Sequence, residues 1–277
     1  MATVDRTEEV QRFLTHLDAQ VYRHFELIIV DQNPDNRLAP VLEPYQERFR
    51  IVHLRSERGL SLARNVGLHH VQGDVVAFPD DDCWYPPGFF ENLASFLNEH
   101  PEIDGISGRA LTDAGSHFVI SQRFASPGFL SLKPLNRGRW PGSVGIFVRT
   151  RVVERVGKFD EKLGLGAGTL WGCGEDWDYV FRALEEGFKL YYNPDIVIFH
   201  PPSNSINHHG AFEHAYRQGA GTAHVLKSHR FPFWFFAVLQ AYSLGVVIPR
   251  SLMRGRWSGT RSHWNHFRGM LRGWFSS

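Results

Sequence analysis

Asp80-Asp81-Asp82 stand after a short apolar run, Val75-Val76-Ala77-Phe78, with one proline between. Three adjacent carboxylates repel one another. Such a triplet is stable when water solvates it as an acidic turn, or when a cation neutralises it. Hard divalent cations with oxygen ligands, Mg²⁺ or Mn²⁺, match it, and Mg²⁺ is usually held by one or two carboxylates together with substrate phosphates. The D-x-D-x-D-G spacing of a calcium loop is absent. The strand-like run before the triplet and Cys83-Trp84-Tyr85-Pro86 after it favour the cation over the solvated turn.

A second group of acids is Gly174-Glu175-Asp176-Trp177-Asp178. Acids at a helix start complement the macrodipole, so capping is one account of Glu175 and Asp176. A catalytic role requires a cleft. The stretch ahead, Leu163 to Gly174, holds five glycines in twelve residues and no Gly-Lys-Ser/Thr, which excludes a Walker-type phosphate loop. These glycines suggest a flexible gate over a pocket. A carboxylate under such a gate is a candidate general base, a role typically worth roughly 10²–10⁴-fold in rate. His200 follows another strand-like run, either as a structural histidine or as a contact to metal or pyrophosphate. Asp31 directly follows Leu27-Ile28-Ile29-Val30. Arg58, Arg64 and Asn65 lie between the first and third runs. An arginine there meets a nucleotide phosphate or ribose, or is a helix-surface charge.

These side chains need strands to carry them. The run 27–30 is short and continuous, as in a strand of a parallel sheet buried on both faces, and 51–54 and 75–78 are further short strand-like runs. Between and around them the apolar period becomes helical. Asp5 and Glu8 make a capping-box pattern ahead of Val10, Phe13, Leu14 and Leu17. A helical stretch follows at about 60–70, and another opens at Pro86-Pro87 with Phe89, Phe90, Leu93, Phe96 and Leu97 on its inner side. Glu175 to Glu186 is predicted helical, with Trp177, Val180, Phe181 and Leu184 on its apolar face and Gly187 at C′. The region 105–150 reads as mixed strands and loops. Two strands, 188–192 and 196–199, close the body, and His200-Pro201-Pro202 marks its expected boundary. The alternation predicts an open α/β sheet, whose ligands sit beyond the carboxyl ends of the strands.

Four blocks in order carry a resemblance. They are Phe25–Asn33 (FELIIVDQN), Gly59–Leu68 (GLSLARNVGL), Gly73–Asp82 (GDVVAFPDDD) and Gly174–Tyr179 (GEDWDY). The chain resembles the family-2 glycosyltransferases over roughly residues 3–202. The resemblance implies a GT-A fold, a Rossmann-like open mixed sheet flanked by helices. It also implies inverting, metal-dependent transfer from a nucleotide-diphosphate sugar. By carry-over, Asp31 contacts the nucleoside, Arg64 and Asp81 belong to the donor side, and Asp80 and Asp82 form the Mg²⁺- or Mn²⁺-binding motif. Asp176 is the base, and His200 matches a histidine that touches metal or pyrophosphate. Two departures stand out. Relatives often carry two acids where this chain has Asp31-Gln32, and only Ala2-Thr3-Val4-Asp5-Arg6 corresponds to their opening strand. Either the start is assigned too far downstream or the first strand is truncated.

Charge divides the chain. After Glu213 there is no acid and there are nine Lys or Arg, a net of +9, against −8 for the preceding part. Phe231 to Pro249 carries no charge over 19 residues, and four of the eight tryptophans, Trp234, Trp257, Trp264 and Trp274, lie in this tail. Between Pro232 and Pro249 a helix would extend about 24 Å, short of the ~30 Å core of a bilayer. Trp and Arg in this setting describe a helix on or dipping into a membrane. No nucleic-acid-binding motif accompanies the charge. Two cysteines exclude a disulfide scaffold, and MATVDRTEEV has no apolar signal region. The expected protein is a cytoplasmic transferase, peripheral on the inner face of the membrane, extending a lipid-linked or cell-surface glycan. Its expected parts are a transferase domain over 1–202 and a basic, Trp-rich helical appendage over 203–277. Two other readings stand beside it: a truncated, non-catalytic sugar-nucleotide-binding relative, and a metal-dependent phosphohydrolase with no role for Glu175-Asp176.

Overall fold

The structure, a computed structural model, describes residues 1–112, 115, 125–133, 142–201 and 208–276. Two sheets share one core. In the first, β1 (Ala2–Thr3), β2 (Glu26–Asp31) and β3 (Arg50–Arg55) lie in that order, all parallel. The second has the order β4 (Val75–Ala77), β7 (Ile146–Arg149), β5 (Gly105–Leu111), β8 (Leu190–Phe199), β6 (Gly128–Phe129). There β5 and β8 are parallel and the other pairs antiparallel. Helices α1 (Glu8–Asp18), α3 (Leu60–Leu68), α4 (Phe89–Glu99) and α6 (Glu175–Glu185) cover the sheets, joined by the shorter α2 (Ala39–Leu42) and α5 (Thr150–Val156). In the run 27–30, Leu27, Ile29 and Val30 are buried and Ile28 is partly exposed, while 51–54 is only partly buried. Helix α1 buries Val10, Phe13, Leu14 and Leu17, as its period predicts.

Two local expectations change, and a third feature is as short as expected. Asp5 does not cap α1. The cap position is Thr7, without a side-chain bond, and Asp5 instead sits at φ +57° and pairs with Arg58 at 2.7 Å. The two strands predicted at 188–192 and 196–199 are the paired halves of one strand, β8. Their pairing with β5 jumps from Ser107–Tyr192 to Arg109–Val197, and Pro194 lies in the resulting bulge, where its missing N–H costs no ladder bond. The first strand is two residues long. Ala2 and Thr3 pair with Val30 and Asp31, and the Met1 amine donates to the Ile28 carbonyl at 2.7 Å. Beside that short strand lies a cavity of about 360 Å³ between β2 and β4, lined among others by Met1, Phe13, Ile28, Arg64, Val76 and Phe78.

The C-terminal segment is helical: α7 (His208–Ser228), α8 (Phe233–Tyr242), a π-helical turn (Ser243–Val247), α9 (Ile248–Met253) and α10 (Trp257–Phe275). The helix runs through Pro249, where the sequence reading ended it. Proline has no N–H to donate to the preceding turn, and the widened π turn just ahead absorbs the mismatch. Of the boundary His200-Pro201-Pro202, Pro202 lies outside the described residues. The core is continuous across it: Val225, Phe231, Phe235, Phe236 and Trp274 pack in one cluster with Val76, Phe78, Phe159 and Tyr179. Helices α7 and α10 cross at backbone contact. A Cβ at Gly269 would lie 2.0 Å from the Tyr216 carbonyl oxygen, and one at Gly273 2.0 Å from that of Ala220.

Candidate active site

Asp31, Asp80–Asp82 and His200 all follow carboxyl ends of strands, as an open α/β sheet requires. Asp80, Asp82 and His200 converge so that one ligand atom from each lies within 4.8 Å of the others. His200 Nε2 is 3.1 Å from Asp82 Oδ1 and 3.8 Å from Asp80 Oδ2. Its Nδ1 lies 2.7 Å from the Pro201 carbonyl, which fixes a proton on Nδ1 and turns Nε2 towards the carboxylates. Asp82 Oδ1 is buried against Nε2. Burial pushes the Asp82 carboxyl up, but His200 and then Arg6 outweigh it and hold it below the usual range. Two carboxylates and an imidazole, converging within 4.8 Å, fit a hard or borderline divalent cation.

Asp81 turns the other way. Its Oδ2 accepts the Thr3 hydroxyl at 2.7 Å and its Oδ1 accepts Arg6 Nη1 at 2.6 Å, while burial pushes its carboxyl up to about 6. The same Arg6 nitrogen reaches Asp82 Oδ2 at 2.6 Å, and Arg12 donates to the Asp82 carbonyl at 2.7 Å. Arg6 entered the sequence reading only as a remnant of an opening segment. A separation of 75 residues from its partner leaves no local pattern to find.

Arg64 is buried, not a helix-surface charge. Its side chain is 5% exposed; Nη1 donates to Glu175 Oε1 at 3.3 Å and Nη2 to Asp80 Oδ1 at 3.4 Å. It thus joins the acidic turn after β4 to the first turn of α6. Gly174, at φ +100°, starts that helix in a conformation that a Cβ would strain, and Val225 leaves no room for one. Beside Glu175, Asp176 accepts the Trp177 N–H at 2.9 Å and lines a small pocket with Arg64, Phe78, Phe159 and Tyr179. Burial, then Glu175, push its carboxyl up to about 7. So both capping and chemistry are open to these acids: the helix start is acidic, and one acid is held near neutrality.

Asp31 is fully buried. Its Oδ1 accepts the N–H and side-chain amide of Asn33 at 2.8 and 2.7 Å, and its Oδ2 lies 3.2 Å from both His53 and Arg55. Asn65 is a latch: its amide donates to the Phe159 carbonyl and accepts the Phe159 N–H. Arg58 is exposed and pairs with Asp5. The glycine-rich stretch is not a free flap. Leu165 accepts from Leu60 N at 2.8 Å, Leu163 accepts from Ser61 Oγ at 2.7 Å, and Gly164, Gly166 and Gly168 hold positive φ. The glycines serve backbone shape and close approach.

The sequence profile of the family described as "Glycosyl transferase family 2" matches residues 1–155. Glycosyltransferase AglE of Haloferax volcanii is 24% identical over 203 residues, which span 71% of this chain and 64% of AglE. The minor teichoic acid biosynthesis protein GgaB of Bacillus subtilis is 25% identical over 209 residues, 64% of this chain and 23% of GgaB. Among solved structures, the mannosyltransferase PcManGT from Pyrobaculum calidifontis, in complex with GDP-Man and Mn²⁺, superposes with a TM-score of 0.65 at 14% identity. That superposition covers 99% of this chain and 85% of PcManGT, and it identifies the fold as GT-A. With the profile spanning more than half of its residues, the chain belongs to glycosyl transferase family 2.

Proposed function

We propose that this glycosyltransferase moves a sugar, with inversion, from a nucleotide-diphosphate donor to a hydroxyl of a lipid-linked or cell-surface glycan. The carrying observation is the placing of the Asp80–Asp82–His200 group beside a separate, partly buried acid, Asp176, with Arg64 between them. Asp80, Asp82 and His200 hold the cation, Mg²⁺ or Mn²⁺. When bound, such a cation stabilises charge on a leaving diphosphate. Asp176 takes the proton from the acceptor oxygen, and its raised proton affinity suits that task near neutral pH. A single displacement then needs no enzyme nucleophile. Arg64 aligns the two halves, Arg6 and Asp81 fix the N-terminal wall, and the Asp31 corner, with Asn33 and His53, serves the nucleoside. A Mn²⁺–GDP-mannose complex in a similar fold and a teichoic acid relative support the donor and acceptor classes. We assign 1–202 to transfer and 203–277 to a membrane-facing helical part on the cytoplasmic side of the cell membrane.

Calorimetric titration with UDP, GDP and dTDP, each with and without Mn²⁺, tests the donor site. One nucleotide is expected to bind, and only with metal. Asp82→Ala is expected to remove the metal dependence with a loss of ~10-fold or more in affinity. Equal binding by Asp82→Ala and the parent, with and without Mn²⁺, refutes the ligand assignment.

A further inference from the structure

Helix α8 is apolar on every face. A helix of that kind belongs in a core or against lipid. Here the two sides differ. Phe235, Phe236 and Gln240 are buried, while Trp234, Val238, Tyr242 and Val246, spaced by four, stand 54, 54, 57 and 42% exposed. Further along the tail, Met253, Trp257 and Trp264 are 81, 75 and 45% exposed. Exposed Arg250, Arg254, Arg256, Arg261 and Arg268 accompany it, with no acid anywhere after Glu213. We propose that this face docks on an anionic bilayer, with α8–α9 lying in the plane of the headgroups and not crossing them. The proposal deepens the membrane-facing role assigned above and rests on that part of it alone.

Charge complementarity selects the partner. An apolar stripe flanked only by cations fits a surface of anionic phosphates over hydrocarbon. The in-plane geometry follows from what holds the inner side. The 21-residue segment Phe233–Met253 has the length and composition to cross a membrane. Crossing would demand lipid or apolar protein all round it. Yet Phe236 stacks on Trp274 at 4.4 Å, and Gln240 donates to the Phe267 carbonyl at 3.2 Å. Both partners lie on α10, which carries the exposed Arg261, Arg268 and Arg272. If α10 followed into hydrocarbon, those guanidiniums would be buried; if α8 left without it, Gln240 would lose its bond there. Lying flat keeps both sets of contacts.

The test is sedimentation of the full chain with vesicles of phosphatidylcholine, alone or with added phosphatidylglycerol, and without donor sugar. Binding is expected only with the anionic lipid, falling ~10-fold between about 0.1 and 0.5 M NaCl. The triple variant Trp234→Ser, Val238→Ser, Tyr242→Ser, at three exposed positions, is expected to bind ~10-fold or more weakly. Alkaline carbonate is expected to release the parent protein. Equal binding to neutral vesicles, or none to either, overturns the proposal. So does carbonate resistance with a Met253→Cys thiol labelled only from the far side, which means a crossing. Asp176→Asn is expected to sediment like the parent, so loss of transfer and loss of docking are read separately.

Discussion

Asp176 sets the pH behaviour at the level of single residues. Burial, then Glu175, raise its carboxyl from the ordinary 3.8 to about 7. As a base it works deprotonated, so the acid limb of the rate profile is expected to rise through about pH 7. Its effect on stability has the opposite sign. The folded state holds this proton more tightly than the unfolded one, so stability falls as pH rises from about 4 to about 7 and then levels. Asp176→Asn is therefore expected to lose roughly 10²–10⁴-fold in turnover. At pH 8 it is expected to melt a few degrees higher, in line with ~1 kcal/mol in a chain of this size. A lower melting temperature at pH 8 would contradict the assignment. Residue types and strand ends were enough to bring Asp80, Asp82 and His200 into one site. They did not disclose Arg6, whose carboxylate partners lie 75 and 76 residues away, or the contacts of Asp31 with His53 and Arg55 on the neighbouring strand.

Among the elements, two contacts of α7 carry separate tests, beside the apolar packing of Ala223, Val225 and Leu226 on the body. One is the bare backbone contact with α10. Gly269→Ala is expected to cost ~2 kcal/mol or more, since its Cβ would sit 2.0 Å from a carbonyl oxygen that cannot rotate away. Gly245→Ala, in a helix with nothing within 4 Å of the new Cβ, is expected to be neutral or stabilising by up to ~1 kcal/mol. Denaturant midpoints compare the two. The other is His229, just beyond α7, whose ring nitrogens lie 2.8 Å from Glu185 Oε1 and 3.0 Å from Asp178 Oδ1 on α6. Burial lowers its proton affinity, but the two carboxylates outweigh it and leave it raised. Its stabilising effect is full below the ordinary 6.5 and is lost as pH rises through the higher folded value. His229→Gln is expected to lower stability by ~1–2 kcal/mol at pH 6 and by less at pH 9; an equal loss at both rejects the charged clamp. Periodicity revealed α1, α3, α4 and α6. It missed the β8 bulge and the run through Pro249, because both depend on how a neighbouring strand or turn absorbs a proline.

For the molecule as a whole, alternating strands and helices were enough to foresee an open α/β sheet, and the resemblance carried by four sequence blocks added the GT-A fold. The division into a body of −8 and a tail of +9 was also plain in the sequence. What charge and composition could not reveal is that the tail completes the core. Phe231, Phe235, Phe236, Met270 and Trp274 share a cluster with Phe78 and Tyr179. Removing 231–277 is therefore expected to give an aggregating protein that binds ANS, whatever its effect on vesicle binding. Full-length surface variants separate anchoring from folding, and a soluble, cooperatively melting truncation would show that the body stands without these helices.

Arg64 is a bar with a grip at each end, one on the turn after β4 and one on α6. An ammonium is a single point and cannot grip both at once. In Arg64→Lys the net charge is unchanged, yet the donor side and the acceptor side no longer share a fixed distance. Donor affinity and acceptor turnover, coupled in the parent through one rigid group, are then expected to vary independently.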